Sequence, residues 1–199
     1  MIISSGVGNL EDIKLAVKTL RTAGTKEIAV LKCTSAYPAP YDEMNLRTIA
    51  DIEKRFSVVA GLSDHTLGIS VPVAGVALGA HLIEKHFIMS RKEGGPDAPF
   101  SLEPSELKEM VESVRHAEAA LGKVTYQLGK SAKKHKFLSR SVFAKMDIMS
   151  DERLSEDNIG VYRPHVDGAA EPKDFEKLIG KMAKKKIGKG TPISWKLVK

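Results

Sequence analysis

The sequence of 199 residues and 21.7 kDa is long enough for one large domain or for one medium and one small domain, and too short for a complete eight-unit α/β barrel of ~250 residues plus anything else. Apolar residues make up 42% and charged residues 28%, which excludes a disordered or fibrous protein. No apolar run reaches the ~18 residues of a membrane span. The opening residues carry no export signal, and the single cysteine, Cys33, excludes an internal disulfide. We therefore expect a cytoplasmic location and no membrane partner.

The net charge of +6 is unevenly distributed. Residues 1–128 carry 14 Lys and Arg against 16 Asp and Glu, whereas residues 129–199 carry 17 against 9. A basic C-terminal part is one feature of nucleic-acid binding, but the interleaved aromatics and motifs of nucleic-acid binders are missing. We therefore expect no nucleic-acid partner, and interpret the lysines as a solvated surface or as a lid over an anionic ligand.

The first part of the chain alternates short apolar runs with amphipathic stretches, the pattern of strand-helix units in a parallel sheet. The predicted strands are Met1–Ser4, Ile28–Cys33, Val58–Leu62 and His81–Phe87, and the predicted helices are Leu10–Ala23, Asn45–Phe56, Leu67–Gly79 and Glu103–Leu121. Four such units are half of an eight-unit barrel. The predicted fold of residues 1–128 is therefore α/β, as half of a TIM (β/α)8 barrel.

The sequence pattern changes after residue 128. A basic linker over residues 129–137 is predicted to lead into a second, small domain over residues 138–199. Short β-rich segments and one short helix around Asp174–Ile179 are typical of a small β domain. The single tryptophan, Trp195, is predicted to lie in its core.

Polar residues stand at the end of every predicted strand of the first part. In barrels and open parallel sheets, ligands bind beyond the carboxyl ends of the strands. We therefore expect the site to be formed by the four strand ends, Ser4–Gly6, Cys33–Pro38, Ser63–Thr66 and Glu84–His86.

Two histidines close adjacent strands in this arrangement. Side chains alternate along a strand, so Ser63 shares a face with His65, and Glu84 shares a face with His86. If both faces point into the barrel mouth, the two imidazoles converge on one divalent metal ion, with water and substrate oxygens completing an open, manganese-type site. The alternative is a pair of ordinary strand-end histidines that donate to neighbouring carboxylates.

Several other polar residues allow two interpretations. Ser4, Ser5 and Gly6 form either an anion-binding site made of hydroxyls and helix-start amides or an ordinary strand-to-helix turn with a capping serine. Asp64 is predicted to cap the helix that follows it. A carboxylate such as Glu84 inside a barrel mouth loses solvation, which costs free energy unless it binds a metal ion or a cation or exchanges a proton. Asp97 lies in a glycine-rich loop that either approaches a ligand or is a plain turn, and Arg163 follows a strand where an anion or amide contact is expected.

Several segments together closely resemble the sialic acid synthase family: KCTSAYPAPYDEMNL, GLSDHTLG, IEKHF and GGPDAPFSLEP. The segment from SRSVFAKMDI through DNIGVYRP to IGKGTPI resembles that family's C-terminal antifreeze-like (SAF) domain. The resemblance covers essentially the whole chain, with the motifs in the family's order.

The resemblance implies a carbon–carbon bond-forming transferase. It would condense phosphoenolpyruvate, as co-substrate, with 2,4-diacetamido-2,4,6-trideoxy-altrose to give a nonulosonic acid and phosphate, with Mn²⁺ or Mg²⁺ as the metal. The AYPAPYDEMNL and GGPDAPFSLEP segments favour the pseudaminic acid branch of the family. Neuraminic and legionaminic acid branches remain alternatives, as does a truncated, non-catalytic sugar-binding protein.

The resemblance also implies roles for individual residues. His65 and His86 fall on metal-ligand positions, and Glu84 matches a carboxylate that handles the proton of water or sugar. The residues that match substrate contacts are Ser4 and Ser63 for phosphate, Tyr37 and Asp97 for the sugar, and Ser35 among the substrate-binding residues at the second strand end.

The remaining implications concern assembly. Arg163 matches an arginine that the antifreeze-like domain extends into the active site of a neighbouring subunit, so a domain-swapped homodimer is expected. Lys32 departs from the family, which usually carries histidine at that position. The chain resembles only the last four units of the family's barrel. We therefore expect a fragment, a split gene whose partner is a separate N-terminal half-barrel chain, or a shortened remnant that dimerises.

Overall fold

The computed structural model describes residues 1–199, which divide into two compact units, 1–124 and 125–199. The elements of the first unit are β1 (Ile2–Ser4), α1 (Leu10–Thr22), β2 (Ala29–Cys33), α2 (Thr48–Phe56), β3 (Val59–Asp64), α3 (Ser70–Ala77), β4 (Leu82–Lys85) and α4 (Pro104–Leu121). The strands form one parallel sheet in the order β1-β2-β3-β4. The predicted α/β fold of alternating strands and helices is confirmed.

One face of this sheet is covered by helices. Val30, Ala60 and Leu62 are completely buried on it and pack with Ile49 and Ile52 of α2. Burial of such side chains stabilises a fold by about 1.5–3 kcal/mol each. The amphipathic helices therefore form the core of the unit on this side only.

The opposite face, which we call the open face, is not covered by helices. Ile2 and Val59 lie in one row of the sheet and are 59% and 46% exposed, and Leu82 is 37% exposed. The two outer strands, β1 and β4, each pair with a single neighbour. The strand ends that carry the predicted site belong to this open face.

Several element boundaries differ from the predictions, and two of the differences concern the segment that carries His65. Strand β3 extends to Asp64 instead of ending at Leu62, because the parallel ladder continues by pairing Asp64 with Lys85. Helix α3 begins at Ser70 instead of Leu67. Gly68 has a φ of +69°, which a helix does not accommodate, so the chain bends before the helix begins.

The second unit is a small β-rich unit, as predicted. Strands β5 (Ser141–Ala144) and β6 (Ile159–Tyr162) form an antiparallel pair, accompanied by short helices α5 (Lys130–Lys134) and α6 (Phe175–Leu178). Its core residues are apolar and buried, among them Val142, Ile148, Leu154, Ile159, Leu178, Ile187 and Ile193. None of the helices of either unit has the length and apolar character that crossing a membrane requires.

Two predictions in this region differ from the structure. Residues 129–137 form α5 and part of a 3₁₀ turn over Lys136–Leu138, and the Phe137 carbonyl accepts a hydrogen bond from the His165 amide at 3.0 Å. The predicted linker is therefore folded and bonded to the rest of its unit. Trp195 is 43% exposed, so its predicted place in the core is wrong.

Candidate functional site

The carboxyl ends of β3 and β4 place a serine beside a carboxylate. The ladder pairs Ser63 with Glu84, and the Ser63 Oγ donates to Glu84 Oε1 at 2.7 Å. Ser63 is buried, whereas Glu84 is exposed. The exposed position keeps the Glu84 carboxylate solvated, so this face does not impose the desolvation cost expected inside a closed barrel mouth.

The two predicted histidines lie next to each other beyond these strands. Their ring centroids are 5.2 Å apart. Nδ1 of His65 lies 3.0 Å from the Thr34 carbonyl oxygen, and since a carbonyl only accepts, the neutral ring has its proton on Nδ1 and its lone pair on Nε2. Nδ1 of His86 lies 3.4 Å from Asp97 Oδ2, which favours the same tautomer. A polar partner on Nδ1 is the usual outer-shell arrangement of a metal-binding imidazole.

Two aromatic side chains surround the histidine pair. The Tyr37 ring lies 4.4 Å from the His65 ring, and the Phe100 ring lies 5.0 Å from the His86 ring, between centroids. Tyr37 is 55% exposed, whereas Phe100 is buried. Phe100 was missed as a site residue by sequence reasoning, although it stands only three residues after Asp97 of the predicted glycine-rich loop. The histidines therefore have an apolar wall on one side.

The donors available for a metal ion are few. No group of three or more His, Cys, Asp or Glu side chains is placed to hold a metal ion. A closed structural zinc site, which needs four protein ligands, is therefore excluded. Two imidazole nitrogens with open positions for water and substrate oxygens fit the donor set of an exchangeable catalytic ion.

The predicted anion-binding site at the end of β1 is only partly present. Ser4 is exposed on the open face, but the Ser5 Oγ accepts the Cys33 amide at 2.9 Å. Asn9 caps α1 with its own side chain, which accepts the first amides of that helix. The prediction that helix-start amides belong to this site is therefore wrong, because those donors are already used. Ser35 is also exposed. It lies close to the turn after β1, because a Cβ built on Gly6 would be 3.5 Å from the Ser35 Oγ.

The predicted capping role of Asp64 is also wrong. Helix α3 begins after Ile69 without a side-chain cap. Asp64 instead accepts the Thr66 amide at 2.9 Å and pairs with the Lys85 ammonium at 2.6 Å. Sequence reasoning did not predict that Lys85 pairs with Asp64. The only indication in the sequence is the alternation of side chains along β4, which places Lys85 on the face opposite Glu84 and His86.

Lys32 lies on the helix-covered side of β2. Its Nζ donates to the Cys33 carbonyl at 2.9 Å and to the Thr34 Oγ1 at 3.1 Å. Burial lowers the pKa of the Lys32 ammonium, while the neighbouring Cys33 acts to raise it. Lys32 therefore holds the turn whose Thr34 carbonyl faces His65.

Arg163 belongs to the second unit. It is exposed directly after β6, and its guanidinium makes no hydrogen bond or ion pair within that unit. Its five donors are therefore available for an anionic or amide ligand.

Both parts of the chain match known families. Residues 1–126 match the NeuB family and residues 139–199 match the SAF domain. Pseudaminic acid synthase of Campylobacter jejuni serotype O:23/36 is 39% identical over 186 residues, which cover 94% of this chain and 54% of that protein. N,N'-diacetyllegionaminic acid synthase of Campylobacter jejuni serotype O:2 is 39% identical over 188 residues, which cover 93% of this chain and 56% of that protein.

A solved structure agrees with these matches. The spore coat polysaccharide biosynthesis protein SpsE from Bacillus subtilis superimposes with a TM-score of 0.59 at 34% identity, over 100% of this chain and 61% of that chain. The chain spans about half the length of the curated relatives it matches. The resemblance seen in the sequence motifs is thus confirmed at the level of the family.

Proposed function

Because this chain belongs to the NeuB family and carries an SAF domain, we propose that it supplies part of a sialic-acid-type synthase that condenses phosphoenolpyruvate with an amino sugar. The observation that carries the proposal is the histidine pair, with ring centroids 5.2 Å apart and a polar partner on Nδ1 of each ring. This pair lies beyond the carboxyl ends of parallel strands, where such folds bind ligands.

The proposed metal site consists of His65 and His86. A Mn²⁺ or Mg²⁺ ion held there would polarise the aldehyde oxygen of the sugar. The Thr34 carbonyl and the Asp97 carboxylate face Nδ1 of the two rings, which leaves each Nε2 as the nitrogen available to a metal ion. Tyr37 and Phe100 shield the rings and leave the remaining side open to the substrates.

The proposed reaction conserves all atoms of the two substrates and one water molecule. The methylene carbon of phosphoenolpyruvate bonds to the aldehyde carbon, water adds to the former enol carbon, and the bond between that carbon and the phosphate oxygen breaks. The sugar oxygen gains one proton of the added water, and the departing phosphate takes the other as the keto group forms. Glu84 is the carboxylate placed at this end of the sheet to exchange these protons.

Ser63 links proton transfer to substrate binding in this proposal. Its hydroxyl donates to Glu84 at 2.7 Å, and a hydroxyl donates only one hydrogen bond at a time. A bound phosphate would draw this donation away from Glu84 and leave the carboxylate free to accept a proton. Ser4 is proposed as a second phosphate contact, and Ser35, Tyr37 and Asp97 as sugar contacts.

The assembly is part of the proposal. Arg163 is proposed to hold the N-acyl group of the sugar in the site of a neighbouring subunit, which makes the active form a domain-swapped homodimer. Four further strand-helix units are proposed to complete the barrel, since residues 1–199 match about half the length of the curated relatives. The enzyme would act on small-molecule substrates in the cytoplasm.

We propose 2,4-diacetamido-2,4,6-trideoxy-altrose as the sugar. The identities to the pseudaminic and legionaminic acid synthases are both 39%, so overall identity does not separate the two sugars. The segments around Tyr37 and Asp97, which border the histidine pair, support the pseudaminic acid type.

The test is phosphate release from phosphoenolpyruvate with Mn²⁺ and the altrose-derived sugar. The chain is assayed alone and mixed with an N-terminal half-barrel taken from a full-length relative. We expect turnover in the mixture and its loss in His65→Ala and in His86→Ala. His81→Ala is the matched control, because His81 lies at the opposite end of β4 beside Glu53, and it should retain activity.

The outcomes separate the alternatives. Turnover with the legionaminic or neuraminic precursor, and not with the altrose derivative, would reassign the sugar within the family. Sugar binding that survives both histidine substitutions, without phosphate release in any mixture, would indicate a non-catalytic sugar-binding protein and overturn the proposed synthase.

A further inference from the structure

Asp64 and Lys85 form a buried ion pair next to the histidine pair, each one residue before a histidine in the sequence. The Lys85 Nζ donates to Asp64 Oδ2 at 2.6 Å and to the Thr66 carbonyl at 2.6 Å. The Lys85 side chain is 2% exposed and the Asp64 side chain is not exposed at all. Asp64 also accepts the Thr66 amide and hydroxyl at 2.9 and 3.2 Å, so both oxygens of its carboxylate are hydrogen-bonded.

This pair connects the two strand ends that carry the histidines. Asp64 immediately precedes His65, and Lys85 immediately precedes His86. Asp64 and Lys85 are register partners in the β3–β4 ladder. The pair therefore joins the last rungs of the two strands on the helix-covered face, while the imidazoles project beyond the opposite face.

A contribution to stability does not by itself explain why a buried Asp64–Lys85 ion pair occurs here. Removing two charges from water costs free energy that their attraction barely offsets, and apolar replacements of similar volume are often neutral or stabilising. The surrounding face is apolar, with Leu62 and Ala60 completely buried. An ion pair at this point fixes a geometry more strictly than apolar packing, because it demands a definite distance and direction.

We propose that Asp64 and Lys85 are positioning residues that hold His65 and His86 at the separation a shared divalent cation needs. This inference rests on the proposed function of the histidine pair. The hydrogen bond from Lys85 to the Thr66 carbonyl fixes the backbone on the far side of His65, so the His65 ring is held from both sides along the chain. The pair thus acts through the imidazoles and touches no substrate.

The test uses the full chain with the double substitution Asp64→Asn and Lys85→Met, which removes both buried charges together. The matched control is Asp51→Asn with Arg55→Met, which removes the bidentate pair on the exposed surface of α2. Urea unfolding shows whether each variant is folded. Mn²⁺ affinity is measured from the electron paramagnetic resonance of free Mn²⁺, and the imidazole ¹⁵N resonances of His65 and His86 are recorded without metal.

We expect the folded double variant to bind Mn²⁺ up to about tenfold more weakly, which is the lower end of the effect of losing an outer-shell partner, because the imidazoles keep Thr34 and Asp97 but lose the pair that fixes their backbone. The His65 ¹⁵N resonances should move toward a mixture of tautomers, and the surface control should match the wild type in both measurements. A folded double variant with unchanged Mn²⁺ affinity and unchanged resonances would overturn the proposal.

Two further outcomes keep the test decisive. If the wild-type chain binds no Mn²⁺, the proposed metal function fails, and the metal-free resonances alone decide whether the pair positions the rings. If the double variant does not fold, Thr66→Val removes only the hydroxyl bond to Asp64. That variant should weaken Mn²⁺ binding about threefold, as loss of one hydrogen bond predicts, and no change in either measurement would count against the proposal.

Discussion

The two faces of the parallel sheet differ in how completely they are packed. On the helix-covered face, Val30 and Leu62 are fully buried, whereas Val59 on the open face remains 46% exposed. The covered face ends in the buried Asp64–Lys85 pair, and the open face ends in the histidine pair. The helix-covered face therefore determines the stability of the unit, and the open face carries the candidate chemistry at one end and an uncovered apolar surface at the other.

The largest effect should come from the helix-covered face. Leu62 is completely buried, and helix α3 approaches it so closely that a Cβ on Gly75 would lie 2.9 Å from its Cδ2. We expect Leu62→Ala to lower the free energy of unfolding by about 2–5 kcal/mol, because it leaves a cavity. Urea unfolding followed by circular dichroism measures the change. Leu62→Met, which conserves volume, should cost less than about 1.5 kcal/mol, and equal losses for both variants would contradict the cavity explanation.

A smaller loss is expected where the open face is locally packed. A Cβ on Gly61 would lie 2.7 Å from the Leu82 carbonyl oxygen and would also overlap the Leu31 side chain. The carbonyl is part of the ladder and cannot move aside, so we expect Gly61→Ala to cost about 1–3 kcal/mol. Gly129→Ala, which has nothing within 4 Å of the new Cβ, is the control. A neutral Gly61→Ala would show that the strands separate easily at this point.

The edge of the first unit should show a small acid sensitivity. At the start of α4, a hydrogen bond from the Glu103 amide at 2.8 Å and then the Arg91 guanidinium hold the pKa of Glu106 below its ordinary value of 4.5. A lowered pKa in the folded state contributes stability above the ordinary value and loses it as pH falls through the lowered one. The effect is small because the Glu106 side chain is 36% exposed.

The measurement for this prediction compares urea unfolding at about pH 6 and about pH 3. The wild-type chain should lose more stability between the two conditions than Glu106→Gln, which has no proton to bind. Identical pH dependence in the two proteins would show that the Glu106 interactions do not contribute.

The smallest effect is expected on the uncovered part of the open face. Val59→Ser should lower the free energy of unfolding by about 1 kcal/mol or less, because nearly half of the residue already contacts water. The experiment is repeated at two protein concentrations. A loss well above this value, or one that grows with concentration, would mean that the row of Ile2 and Val59 is covered in solution.

The sequence predicts the strand-helix order of the first unit well, because apolar runs and amphipathic stretches are local features. The end of β3 and the role of Asp64 were not predictable in the same way. They depend on the register that places Asp64 opposite Lys85, and register is a property of two strands that periodicity in one strand does not reveal.

Within the candidate site, the strand-end rule led to His65, His86, Ser63 and Glu84, which the structure places as two pairs, Ser63 with Glu84 and His65 with His86. Phe100 and the Thr34 carbonyl were not predicted as parts of the site. Phe100 contributes by packing against His86. Thr34 contributes its carbonyl oxygen, which every residue has, so the residue type at this position gives no indication of the contact. In the second unit, Trp195 shows that an aromatic residue in a short β-rich domain need not belong to its core.

The order of the strands has a consequence for the rate of folding. In this sheet each strand pairs only with strands that are adjacent to it in the chain, but the paired residues, such as Ala29 with Val59 and Gly61 with Leu82, are more than 20 positions apart. Each strand pair therefore forms only after the helix-containing segment between the strands has closed into a loop, which makes parallel sheets slow to fold. We expect the first unit to fold more slowly than a helical bundle of the same length.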